Sequence, residues 1–226
     1  MSSLPIEPLP PKRVRGFEKN RLEALADGVF AVALTLLVLD IKLPENISYA
    51  SNDALWSRLL SLERHFAIYV ISFVVIGMYW ISHHIQFHFI RYTDRKLIWI
   101  NLFYLLLISF VPFATDLVGD HEDLVLPVEI YGFTLLALSG FSFVHLDYLA
   151  RHPYLTTREF SVEVADLIKR RVLMFTIIPL ASMLLAFWST RVALYIYLLL
   201  VTAHFFTGPV DERIHTTPPP DEGGRE

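Results

Sequence analysis

Apolar residues in this chain gather into six blocks, at about 22–41, 66–87, 97–118, 128–149, 172–188 and 192–207. Each is near the roughly 20 residues that carry a helix across the hydrocarbon core of a bilayer. The pattern predicts an all-α integral membrane protein with six transmembrane helices. The last two blocks are short, and only Ser189, Thr190 and Arg191 part them, which predicts a tight helical hairpin. Pro112 falls inside the third block and Pro179 inside the fifth, so both helices are expected to kink. No internal repeat is evident.

Composition agrees with a membrane assignment. Of 226 residues, 54% are hydrophobic and 19% charged, against about 45–50% and about 25% in soluble domains. Cysteine is absent, which excludes disulfides, thiolate metal sites and cysteine nucleophiles. Lys and Arg set the expected orientation. Six spans put the N-terminus, the second and fourth loops and the C-terminus on one side, with 15 of the 19 basic residues. Both termini are therefore expected in the cytoplasm, in a multi-pass protein of the cell membrane. Residues 1–20 read as a cytoplasmic segment without the apolar core of a signal peptide. Residues 21–208 form the six-helix unit, and 209–226 a Pro/Gly-rich cytoplasmic tail expected to be disordered.

The first block opens with charge: Arg21, Glu23 and Asp27 precede an uncharged run at 28–39. Charge at a membrane span is costly and usually faces a bundle interior or a watery path. Beyond it, helical spacing aligns Gly28, Val32, Thr35, Leu36 and Leu39 on one face. A ring of such helices would make narrow apolar constrictions, which gate by dewetting, with one hydroxyl layer at Thr35. On spacing alone, ordinary helix–helix packing remains the commoner explanation of the stripe.

Glu23 and Asp27 are four apart on one face and repel unless neutralised. Arg21 and Asp27 are six apart and are poor partners within one helix. An inter-helix polar network is therefore expected, joining Arg21 and Asp27 to His83, His84 and Asn101. At the other end, the third loop carries acids and no Lys or Arg. Asp116 and Asp120, with Asp40 at the end of the first block, read either as a cation-attracting outer mouth or as a solvated loop.

These residues resemble the prokaryotic members of the transmembrane protein 175 potassium channel family. That family carries Arg-x-x-x-Phe-Ser-Asp on its first helix, followed by an apolar run with a Thr. Here the string is RLEALAD (21–27), then GVFAVALTLLVLDIKLP. Further similarity lies in YWISHHIQF (79–87), DRKLIWIN (94–101) and LISFVPFATDLVG (107–119). Leu25 and Ala26 stand where the family has Phe and Ser, which puts assembly or gating in question more than pore chemistry. The resemblance implies a homotetramer whose first helices line the pore, with no pore-loop filter. It implies Val32, Leu36 and Leu39 as constriction layers and Thr35 as the selectivity layer. Val32 replaces a larger family residue, so a wider, leakier layer is expected.

The other constellations are weaker. His83, His84 and His88 form HHxxxH, but no second histidine box accompanies it. An enzyme is disfavoured: there is no catalytic set, no metal site beyond transient K+, no cofactor and no nucleic-acid-binding pattern. The expectation is a passive, potassium-preferring cation channel with K+, the bilayer and identical subunits as partners. The main rival is a proton- or cation-coupled secondary transporter using Asp27 and the second-helix histidines. A membrane protein without flux is the third class.

Overall fold

The computed structural model describes residues 19–43, 51–121 and 123–199. Its elements are helical: α1 (Lys19–Leu36), α2 (Asn52–Leu60), α3 (Glu63–His88), α4 (Arg95–Asp120), α5 (Val125–Arg151), α6 (Val162–Ala186) and α7 (Thr190–Tyr195). Short 3-10 turns follow α1 (Leu37–Asp40) and α5 (Pro153–Leu155). Among the described residues the one β-type pairing is an isolated bridge between Ile90 and Thr156.

Among the described residues four helices are long and apolar enough to cross a membrane: α1 with its 3-10 extension, α3, α4 and α5. The fifth predicted block corresponds to α6, which begins ten residues earlier than the apolar run. Glu163, Asp166, Lys169, Arg170 and Arg171 occupy that early part. The chain turns back at the predicted position: Ser189 caps the short α7, and Ser182 Oγ donates to the Ala193 carbonyl at 2.7 Å. Residues 200–207 of the sixth block, and the segments 1–18 and 208–226, lie outside the described residues. Pro112 and Pro179 both sit inside continuous helices, α4 and α6.

Sequence reading did not anticipate α2. It is nine residues long, too short to span, and Ser51 caps it by accepting the Ala54 N–H at 3.2 Å. Trp56 stands exposed on it, which suits a helix lying at a membrane surface.

The bundle core is apolar but stitched by hydroxyls. Ile76, Val75, Ile108, Val111, Leu135 and Leu138 are fully buried. Tyr79 lies in their midst with its hydroxyl 2.9 Å from both the Leu135 carbonyl and Ser139 Oγ. Ser139 Oγ lies 2.8 Å from the Phe175 carbonyl, so one cluster joins α3, α5 and α6. A second cluster joins Thr115, Ser72 and Tyr131 through contacts of 3.1 Å. Such bonds hold helices together where water-driven burial between spans is weak. Gly132 lets α5 and α6 approach closely: a Cβ there would lie 2.5 Å from Met183 Cγ.

At the basic end, the loops after α3 and α5 are tied. The N–H groups of Arg91 and Tyr92 donate to the Leu155 carbonyl, and that of Thr157 to Phe89. Asp94 caps α4 through the Leu97 N–H at 2.8 Å and accepts the Tyr148 hydroxyl at 2.6 Å.

Candidate functional site

Two different faces run along α1. Leu22, Ala26, Phe30, Ala33 and Leu37, at steps of three and four residues, are buried against the bundle. Phe30 is the anchor. Its ring sits 5.7 Å from His83 and 6.2 Å from Tyr104, fixing α1 on α3 and α4.

The opposite face carries Gly28, Val32, Thr35, Leu36 and Leu39, all exposed. Val32 is 56% exposed and Leu39 58%. Large apolar residues are not left open to water at this density, so this face requires lipid or protein to cover it. It is also the least self-covered span: 28% of its most apolar window is buried, against 44–50% in α3, α4 and α5. Small side chains mark it further, since a Cβ at Gly28 meets nothing within 4 Å.

Thr35 contributes the one hydroxyl on this stripe. Its Oγ1 lies 3.0 Å from the Ala31 carbonyl and 2.9 Å from that of Val32. The single hydroxyl hydrogen is thus directed back into the helix. The oxygen lone pairs remain on the exposed side, an arrangement that attracts cations and offers nothing to anions.

The polar groups near the start of α1 divide into two sets. On the exposed side, the Trp80 indole N–H donates to Asp27 Oδ1 at 2.9 Å. Trp80 stacks on His84 at 5.7 Å, and His84 Nδ1 lies 3.9 Å from Glu23 Oε1. In the interior, His83 Nε2 meets Asn101 Oδ1 at 2.8 Å, which places the ring proton on Nε2. Stacking on Phe87 at 4.3 Å and Tyr104 at 5.3 Å holds that ring still. Arg21 is exposed and has no side-chain partner among the described residues. Of the expected network, His83 and Asn101 come together directly. His84 meets Glu23, and Asp27 takes Trp80 instead of a histidine.

Trp80 is the residue that sequence reading missed. Its signal was its position one turn before His83 and His84 in YWISHH. A second buried pair also went unread: His145 Nδ1 and Gln86 Oε1 at 2.8 Å.

At the far end of α1, the 3-10 turn packs on α3 and α4 and gathers the acids. Asp40 lies within electrostatic range of Asp116, Asp120 and Lys42. Lys42 Nζ is 4.0 Å from Asp116, and His65 Nε2 is 3.7 Å from Asp120. These carboxylates therefore form one cluster, partly offset by a lysine. Among the described residues, no three His, Asp or Glu side chains come together in a way that would hold a metal ion.

Comparison with known proteins bears on this arrangement. A family model described as the endosomal/lysosomal potassium channel TMEM175 matches residues 21–112. The crystal structure of a lysosomal potassium-selective channel TMEM175 homolog from Chamaesiphon minutus aligns with a TM-score of 0.68. It is 27% identical and covers 88% of this chain and 98% of that one. Over residues 21–112 the chain is thus similar in sequence to the TMEM175 family, and its fold is similar to that of a TMEM175 homolog. Its long apolar helices make the chain a multi-pass membrane protein, and the matched family is described as a potassium channel. A potassium channel of Streptomyces collinus is 37% identical over 126 residues, 54% of this chain and 60% of the relative. The human endosomal/lysosomal proton channel TMEM175 is 32% identical over 101 residues, 42% of this chain and 20% of the relative. The chain thus aligns with about 60% of the length of its bacterial relatives. The region matched by the family model holds α1, α3 and the first part of α4, which carry the exposed stripe and both polar sets.

Proposed function

We propose that this chain is one subunit of a homotetrameric, potassium-preferring cation channel whose pore is walled by the exposed face of α1. Each subunit contributes six spans, the last two being α6 and the segment that α7 begins. Both termini lie in the cytoplasm. The observation that carries this reading is the α1 face itself: apolar, small, uncovered by its own bundle, and bearing one oxygen whose lone pairs point outward.

Four copies of that face produce a narrow apolar channel. Val32, Leu36 and Leu39 make layers through which an ion passes only after shedding water, so unfilled layers dewet and block flow. Thr35 sits between the first and last of these layers. Its four oxygens replace part of the hydration shell, and this favours the ion that sheds water more readily. The Asp40, Asp116 and Asp120 cluster concentrates cations at the outer mouth. Phe30, packed on His83 and Tyr104, holds the wall in place, and the Asp27–Trp80 bond fixes the rotation of its entrance. Arg21, exposed at that entrance, is positioned to pair with a neighbouring subunit.

Two observations weigh against a coupled transporter. Asp27 is held by an indole N–H that carries no exchangeable charge, and His83 is locked in a dry stack. Purified protein in planar bilayers with opposed potassium and sodium gradients tests the proposal. Unitary current steps whose size or selectivity changes in Thr35→Ala and Leu39→Ala support it. Saturable flux without steps, or no flux from a folded oligomer, defeats it. A proton gradient imposed in the same chamber measures proton passage, for which the vertebrate relatives are named.

A further inference from the structure

We propose that a groove between α5 and α6 binds one anionic phospholipid, with its phosphate at Lys169 and Arg170 and an acyl chain laid over Gly140. The groove is open and measures about 560 Å³. Leu136, Phe143 and Leu173 line one part of it, and Lys169, Arg170 and Asp166 line the other. Lys169 and Thr176 are seven helical steps apart on α6, about 10 Å at the helical rise. That length carries a ligand from a charged head into hydrocarbon.

The chemistry of the charged end selects an anion. Asp166 lies 3.7 Å from Lys169 and takes up part of its charge. Arg170 is exposed and has no partner among the described residues, so its planar guanidinium is free to grip two phosphate oxygens. Two cations against one carboxylate leave a net positive end. It belongs to the basic side of the molecule, where the loops bearing Arg91 and Arg158 are tied together.

The apolar end is shaped for a chain. Gly140 is exposed, and a Cβ there meets nothing within 4 Å, so its missing side chain forms part of the groove floor. The groove is also not needed for assembly through α1. That helix packs on α3 and α4, whereas α6 packs on α5 and α7. The proposal rests on the membrane topology above but not on ion flow.

Native mass spectrometry of the full chain, released from detergent with equal phosphatidylglycerol and phosphatidylcholine, is the test. Wild type is expected to retain the anionic lipid by about tenfold, as basic groups near an anionic surface provide. Lys169→Gln with Arg170→Gln should bring that ratio to within about twofold. Gly140→Leu should lose both lipids at an unchanged melting temperature. Arg151→Gln, outside the groove, should behave as wild type. The proposal is overturned if the double variant keeps its preference, if Gly140→Leu retains lipid, or if Arg151→Gln lowers the ratio equally. Displacement of the lipid by matched inorganic phosphate would mark a free-anion site instead. A change of oligomer mass in Gly140→Leu would make a second copy the occupant. Neither readout involves current, so its failure leaves the channel proposal standing, and absence of current leaves this one standing.

Discussion

Replacing Thr35 with Val removes one oxygen from α1 and almost nothing else. The hydroxyl bonds only to the Ala31 and Val32 carbonyls of its own turn, and the side chain is exposed. Val and Thr have similar helix propensities, so the fold should change by about 0.5 kcal/mol or less. The effect on ions is larger. A hydrogen-bond-strength contact to a charge is worth about 1.5–3 kcal/mol, and four oxygens meet in the proposed pore. Most of that is common to potassium and sodium. A residual difference of about 1 kcal/mol over the ring changes the permeability ratio about fivefold. At about 59 mV per decade for one charge, this shifts a bi-ionic reversal potential by about 40 mV. The assay is that reversal potential in planar bilayers, with Thr35→Ser beside it. Serine keeps the oxygen and its bond into the helix, so its potential should stay within about 10 mV of wild type. If Thr35→Val conducts in unitary steps with an unshifted potential, the threonine oxygens do not sort ions and the argument from lone-pair direction fails.

Four other outcomes are expected. Phe30→Ala should cost about 3–5 kcal/mol, because the ring is 1% exposed and packed against His83 and Tyr104; loss of the proposed tetramer on size-exclusion chromatography or a lowered melting temperature reports it. Asn101→Leu should destabilise by about 1–3 kcal/mol by leaving the buried His83 N–H without an acceptor, and adding His83→Leu should recover part of it in a double-mutant cycle followed by thermal melting. Val32→Ile should narrow the first layer, giving lower unitary conductance and higher potassium preference; a reversal potential matching wild type under potassium–sodium gradients counts against a leaky layer. Gly132→Ala should lower stability by about 1–3 kcal/mol by pressing on Met183, while Gly140→Ala on the same helix should melt as wild type does.

The two faces of α1 show how far a sequence reads. Hydropathy marked it as a span, and the period of the helix placed Val32, Thr35, Leu36 and Leu39 together. Both properties are local, carried by consecutive residues and the helical repeat, so they survive without knowledge of any neighbour. Spacing did not say which face turns inward. That was settled by Phe30, whose ring finds a pocket made by His83 and Tyr104 from two other helices.

The polar groups tell the same story with less success. Charge at the helix entrance announced that partners were needed, and His83, His84 and Asn101 were expected to supply them. The pairing of Asp27 with Trp80 was not, because it depends on the rotation of α3 about its axis, which places Trp80 and His84 outward and His83 inward. The bond between Gln86 and His145 joins residues 59 apart in the chain and required the register of α3 against α5. The extended start of α6 was likewise hidden. Its charged first turns break the apolar run that marks a span, although Ser161 caps a helix there. By itself, then, the sequence determined that this is a multi-span helical protein with a small, apolar, threonine-bearing face on its first span. Tertiary structure alone decided that this face is left uncovered while its opposite is buried. The reason is physical: composition fixes the solvent a helix seeks, but only packing fixes which side of it is already occupied.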